Sequence, residues 1–137
     1  MEGMKSKLSI LWIFATLNYV YCDVVTLMDP NLLKGFLTGN VGGMNITQAF
    51  LLGAGVLVEI PIAMVLLSRI LDQRSNRWAN IVAGGVMTVV QLATLFAKTP
   101  ALYYVFFSVI EVASTSAIVW IAWRWRGATR AVTAAAA

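Results

Sequence analysis

The run Ala101–Trp123, ALYYVFFSVIEVASTSAIVWIAW, holds a single carboxylate, Glu111, close to its centre. A hydrocarbon core of about 30 Å takes roughly 20 helical residues, so this run is long enough to cross a bilayer. Three further runs of similar length and character precede it: Leu8–Met28, Ile46–Ile70 and Trp78–Ala97. The expected fold is therefore all-α: a polytopic membrane protein whose four transmembrane helices form an antiparallel bundle. It is a single domain over residues 1–126, with a low-complexity tail, GATRAVTAAAA, completing the chain at 127–137.

Composition agrees. The chain is 60% hydrophobic and only 12% charged, against about 25% charged residues in ordinary soluble domains, and its mean hydropathy is +0.80. The net charge of +4 gives no reason to expect nucleic acid, because the basic residues sit at the ends of the apolar runs, where lipid headgroups explain them. A lone cysteine, Cys22, allows neither an internal disulfide nor a CxxC pair. Histidine is absent, which removes the usual haem, zinc and copper ligand sets, and no cofactor is expected. The start, MEGMKSK before an apolar run, has the look of a signal sequence, but the run is too long and no small-residue cleavage site follows it. It is read as the first membrane helix.

The connections have their own signals. Met28-Asp29-Pro30 ends the first helix, since a proline disfavours helix in the residue before it. Asn31–Asn45 is read as an ordered loop lying on the bundle, with a lipid-surface or re-entrant segment, suggested by the mildly amphipathic NLLKGFLTG, as the alternative. Asn45 or Thr47 can cap the second helix, and Asn45-Ile46-Thr47 is a weak sequon match. The glycine pairs Gly53/Gly55 and Gly84-Gly85 are read as points of close helix contact, and Pro61 as a kink. Leu71–Arg77 is read as a charged loop. Arg124-Trp125-Arg126 anchors the last helix at the interface.

Eight of the ten basic residues fall on one side: Lys5, Lys7, Arg69, Arg74, Arg77, Arg124, Arg126 and Arg130; Lys34 and Lys98 fall on the other. The positive-inside rule then places both termini in the cytoplasm. Trp12, Trp78, Trp120, Trp123 and Trp125 are expected at that same interface, Tyr103 and Tyr104 at the opposite one.

The candidate site is drawn from polar residues inside the apolar runs, where ionisable groups face protein or water rather than lipid. At about 1.5 Å of rise per residue, Glu59 and Glu111 each lie roughly 15 Å deep. The expectation is two polar layers: Glu59, Glu111 and Asn18 in the middle, Asp23 and Gln91 above them. Tyr104, Ser108, Glu111, Ser114 and Thr115 share one face of the fourth helix, and Thr16, Tyr19, Asp23 and Thr26 one face of the first. No basic residue lies at these depths, so the acids are protonated, bind a cation or face water. The plainest alternative is that protonated carboxyls only tie helices together, at roughly 1 kcal/mol each.

The segments LWIFATLNYVYCDVVTLMDP, LLKGFLTGNVGGMNITQAFLLG, EIPIAMVLLSRIL with RWANI, and YYVFFSVIEVASTSAIVWIAWRWR resemble a family of small bacterial four-helix membrane proteins of unknown function. The likeness covers Leu8 to Arg126 and implies a bacterial inner-membrane location, but carries no site residues. The layout is also similar to that of DoxX-like membrane proteins, in architecture alone. Three functions compete: a proton- or cation-coupled transporter or channel-like protein, as a homo-oligomer, built on the midplane carboxyls; an accessory subunit binding membrane lipid or a protein; and an isomerase or cyclase acting on a lipophilic ligand.

Overall fold

The computed structural model describes residues 2–97 and 99–125. The tail, Arg126 and Lys98 lie outside the described residues. Helix α1 spans Glu2–Met28, α2 Pro30–Thr38, α3 Gln48–Ile70, α4 Gln73–Ala97 and α5 Leu102–Arg124; the two-residue strands β1 (Asn40–Val41) and β2 (Met44–Asn45) form a small hairpin. Helices α1, α3, α4 and α5 are long and apolar enough to cross a membrane.

Helix α1 packs against α3 and α5, α4 packs against α5, and α3 and α4 touch less extensively. The four therefore form a ring in the order α3, α1, α5, α4. On α1 the buried residues Leu8, Trp12, Ala15 and Cys22 recur at helical spacing and make one inward stripe. Large apolar residues such as Ile10, Leu17, Leu52, Val89 and Phe106 stay exposed, as expected where hydrocarbon rather than water is the solvent.

Residues 31–45, expected as a loop, fold instead into α2 and the hairpin. The Asp29 carboxylate accepts hydrogen bonds from the backbone N–H groups of Asn31 (3.0 Å) and Leu32 (3.5 Å), and Pro30 supplies a first helical position that needs no donor. The same Asp-Pro pair thus ends α1 and starts α2. Gly39 closes α2 in the left-handed region, with φ of 73°. The hairpin turns on Gly42 and Gly43, whose φ values of 58° and 86° suit a two-residue turn.

The charged loop is also shorter than expected. Helix α4 begins at Gln73 because Asp72 caps it, accepting from the N–H of Arg74 (3.1 Å) and Ser75 (3.2 Å). Hydrogen bonds from the Ser75 hydroxyl and backbone hold this carboxyl below its ordinary range. Thr47 caps α3, accepting from the N–H of Phe50 at 3.1 Å.

Two packing expectations are corrected. Gly53 and Gly55 make no close helix contact: a side-chain carbon at either would meet nothing within 4 Å. The tight seam is at Gly84, where a Cβ would lie 2.7 Å from Val119 Cγ2 and 3.2 Å from the Thr115 carbonyl. Trp12 is no interface anchor. It is fully buried, and its indole N–H donates to Asn80 Oδ1 at 2.7 Å across the bundle. Trp125 is buried as well, whereas Trp78, Trp120 and Trp123 are about half exposed.

Candidate functional site

Glu111 is the buried acid of this bundle. It projects from the middle of α5 with 1% of its surface exposed. Its backbone is held by the chain around it: the Thr115 hydroxyl donates to the Glu111 carbonyl at 3.0 Å and is itself 2.7 Å from the Thr88 hydroxyl on α4. Its carboxyl is held by nothing. Neither Oε1 nor Oε2 has a hydrogen-bond partner among the described residues, and the Tyr19 hydroxyl is buried in the same condition. Buried polar groups in folded proteins are nearly always satisfied, so unpaired oxygens at one place ask for an explanation.

That place is a cavity of about 150 Å³ bounded by all four long helices. Tyr19, Cys22 and Asp23 line it from α1, Leu57, Val58 and Pro61 from α3, Gln91 and Thr94 from α4, and Tyr104 and Glu111 from α5. Its polar rim is ordered. The Gln91 side-chain amide donates to Ser108 Oγ at 2.8 Å, and the Tyr104 hydroxyl donates to Thr94 Oγ1 at 2.9 Å. Asp23 lines the cavity yet remains exposed, which places a second carboxyl at its edge. Pro61 forms part of the wall and has no N–H to give the Leu57 carbonyl one turn earlier. Thr94 and the α3 wall are not among the residues the sequence places at the site. Thr94 lies three residues from Gln91 on α4, and that helical spacing is the signal that would have found it.

Of the residues expected at the site, Tyr19, Asp23, Gln91 and Glu111 come together here. The two expected layers are one site. Glu59 does not join them: it is exposed on the outer side of α3. At 3.6 residues per turn, a residue two positions from both Leu57 and Pro61 points well away from the face those two present. Asn18 does not join either, since its side-chain amide is spent on the Phe14 carbonyl of its own helix at 2.9 Å. Ser114 is buried and donates to the Ile110 carbonyl at 2.7 Å. Ser108 acts at one remove, through Gln91.

A second buried polar cluster escaped the sequence reading. Asn80 accepts from Trp12 at 2.7 Å and from the Ser68 hydroxyl at 3.3 Å. Its amide donates to the Asn76 carbonyl and side chain at 2.8 and 2.6 Å. Asn76 in turn donates to the Ser68 carbonyl at 2.6 Å, and Ser9 donates to the Val65 carbonyl at 2.9 Å. These side chains are all buried and all bonded. Among the described residues no three His, Cys, Asp or Glu side chains gather closely enough to hold a metal ion.

No curated protein matches the chain, and no solved structure does. A family model matches residues 1–132, nearly the whole length. With four helices apolar enough to span a bilayer and this family match, the chain is a membrane protein belonging to DUF6326, a family of unknown function.

Proposed function

We propose that the protein is a proton- or cation-coupled membrane transporter whose coupling site is Glu111. One observation carries this reading: a buried carboxyl with both oxygens unpaired, lining a cavity that also holds an unpaired tyrosine hydroxyl. A carboxyl that served only to tie helices together would be hydrogen-bonded to them. A charged carboxylate left alone in such a place is costly, so it takes up a proton or the positive charge of a ligand. Apart from these oxygens, the Gln91 amide, the Asp23 carboxyl and the Thr94 and Tyr104 hydroxyls, the walls are apolar. Among the described residues no three acidic, cysteine or histidine side chains gather there to hold a metal ion. A proton or a small organic ammonium suits the walls better. Asp23 at the edge is the first acid an entering cation meets, and Glu111 is the second.

Four helices enclose no wide path, so the reading includes assembly of two or more copies. It also includes a bacterial inner-membrane location with both termini cytoplasmic, supported by eight of ten basic residues falling on one side.

The test is proton exchange by purified protein in proteoliposomes, driven by a methylammonium gradient. Wild type and Glu59→Gln are expected to move protons, and Glu111→Gln is not. Equal exchange in wild type and Glu111→Gln, or none in either, would sink the reading and favour an accessory subunit that tolerates the substitution.

A further inference from the structure

On the outside of the bundle, α4 and α5 leave a groove of about 480 Å³ between them. Gly85, Val89, Ser116, Val119, Trp120 and Trp123 form most of its lining. Gly85 keeps it open, because nothing lies within 4 Å of where its Cβ would be. Two arginines stand at one end. Arg124 Cζ lies 4.5 Å above the Trp120 ring, and Arg77 Cζ lies 5.9 Å from the Trp123 ring and 5.4 Å from that of Trp78. Arg77 is pinned by its Nε, which donates to the Ala122 carbonyl at 3.2 Å, and its Nη2 is buried without a hydrogen-bond partner among the described residues.

We infer that this groove is a binding site for one anionic phospholipid, with an acyl chain between α4 and α5 and the phosphate at Arg77 and Arg124. The dimensions agree. From Arg77 to Val89 is twelve residues, about 18 Å at 1.5 Å each, and one leaflet of hydrocarbon is about 15 Å deep. The volume lies within the range of sites for lipophilic ligands. The charge selects the occupant. A second copy docking here about a two-fold axis normal to the membrane would bring its own Arg77 and Arg124 to the same level. The acid nearest that end of α4, Asp72, is engaged in capping. An anionic headgroup supplies the missing negative charge, and the stacked indoles hold both guanidiniums at the groove mouth. This site is separate from the Glu111 cavity and does not depend on its role.

The experiment uses the full chain in phosphatidylcholine nanodiscs containing a minority of lipid with brominated acyl chains, which quench tryptophan on contact. Brominated phosphatidylglycerol is expected to quench at lower mole fraction than brominated phosphatidylcholine. Arg124→Gln is expected to weaken that preference about fivefold, the effect of one basic residue near a lipid surface. Arg77→Gln does the same but also loosens the α4–α5 seam, so Gly85→Leu serves as the independent variant: it fills the groove and lowers quenching by both lipids. Arg74→Gln, which removes a charge of the same sign elsewhere on that end, leaves the preference intact. Equal quenching by the two lipids overturns the proposal, as does equal loss in Arg74→Gln and Arg124→Gln. Protection from both lipids in particles that hold two chains assigns the groove to a second copy instead.

Discussion

Among the described residues the bundle has two buried polar clusters, and they are built on opposite terms. At the basic end, Trp12, Ser68, Asn76 and Asn80 exchange hydrogen bonds until little is left over. Further along, Glu111 and Tyr19 keep their oxygens unpaired beside a cavity. Gly84 lies between the two on α4 and seals the seam with α5. A saturated network fixes helices relative to one another, because any shift strands several groups at once. An unsaturated one adds little to stability and is free to bind something. Burial of polar residues is therefore no guide to role by itself; the number of bonds left open is.

The sharpest way to break this contrast is Asn80→Leu. It strands the Trp12 indole N–H and the Ser68 hydroxyl, and is expected to cost about 3 kcal/mol, read as a fall in melting temperature in detergent. Gly84→Leu comes next, at about 2 kcal/mol, since the added side chain overpacks the seam against Val119. Glu111→Leu has the opposite sign. It replaces an unpaired buried carboxyl by an apolar group of similar size and is expected to raise stability by about 1 kcal/mol. A loss comparable to that of Asn80→Leu would show that both clusters are structural, and the contrast would collapse. Glu59→Gln, on the outer face of α3, should change stability by no more than about 0.5 kcal/mol.

The smallest effect depends on pH. The folded protein holds the Asp72 carboxyl below its ordinary range. Its contribution is complete above the unfolded value and disappears as pH falls through the folded one. Wild type should therefore melt slightly above Asp72→Asn at neutral pH, and the gap should close in acid.

Depth was legible in the sequence and direction only partly so. Rise per residue is fixed, so the levels of Glu59 and Glu111 follow from counting. Which way a residue points depends on which arc of its helix packs inward, and α3 is apolar nearly all round. Nothing in GVLVEIPIAM marks Leu57 and Pro61 as inner and Glu59 as outer, so depth alone put Glu59 at the site. Helix α5 carries its own compass, because Ser108, Glu111, Ser114 and Thr115 mark one face. On α4 the marks were present at Asn76, Asn80 and Gln91, but reading Gln73–Arg77 as a loop cut the pattern short. Asp72 as a cap was the missing clue, just as Asp29 before Pro30 was for α2. The glycine pairs were right at one position in four for a related reason: a residue without a side chain permits approach but does not require it, and of Gly53, Gly55, Gly84 and Gly85 only Gly84 has a neighbour there.

Pro61 gives the cavity one soft wall. Because α3 lacks a backbone bond at the Leu57 carbonyl, it can bend there without breaking one, and the other three long helices carry no proline to give them the same freedom. Exchange of small solutes with the space around Glu111 would then proceed by flexing of α3 while α1, α4 and α5 stand still. Amides on either side of residue 61 should accordingly trade hydrogen for deuterium sooner than those at the same depth in α5.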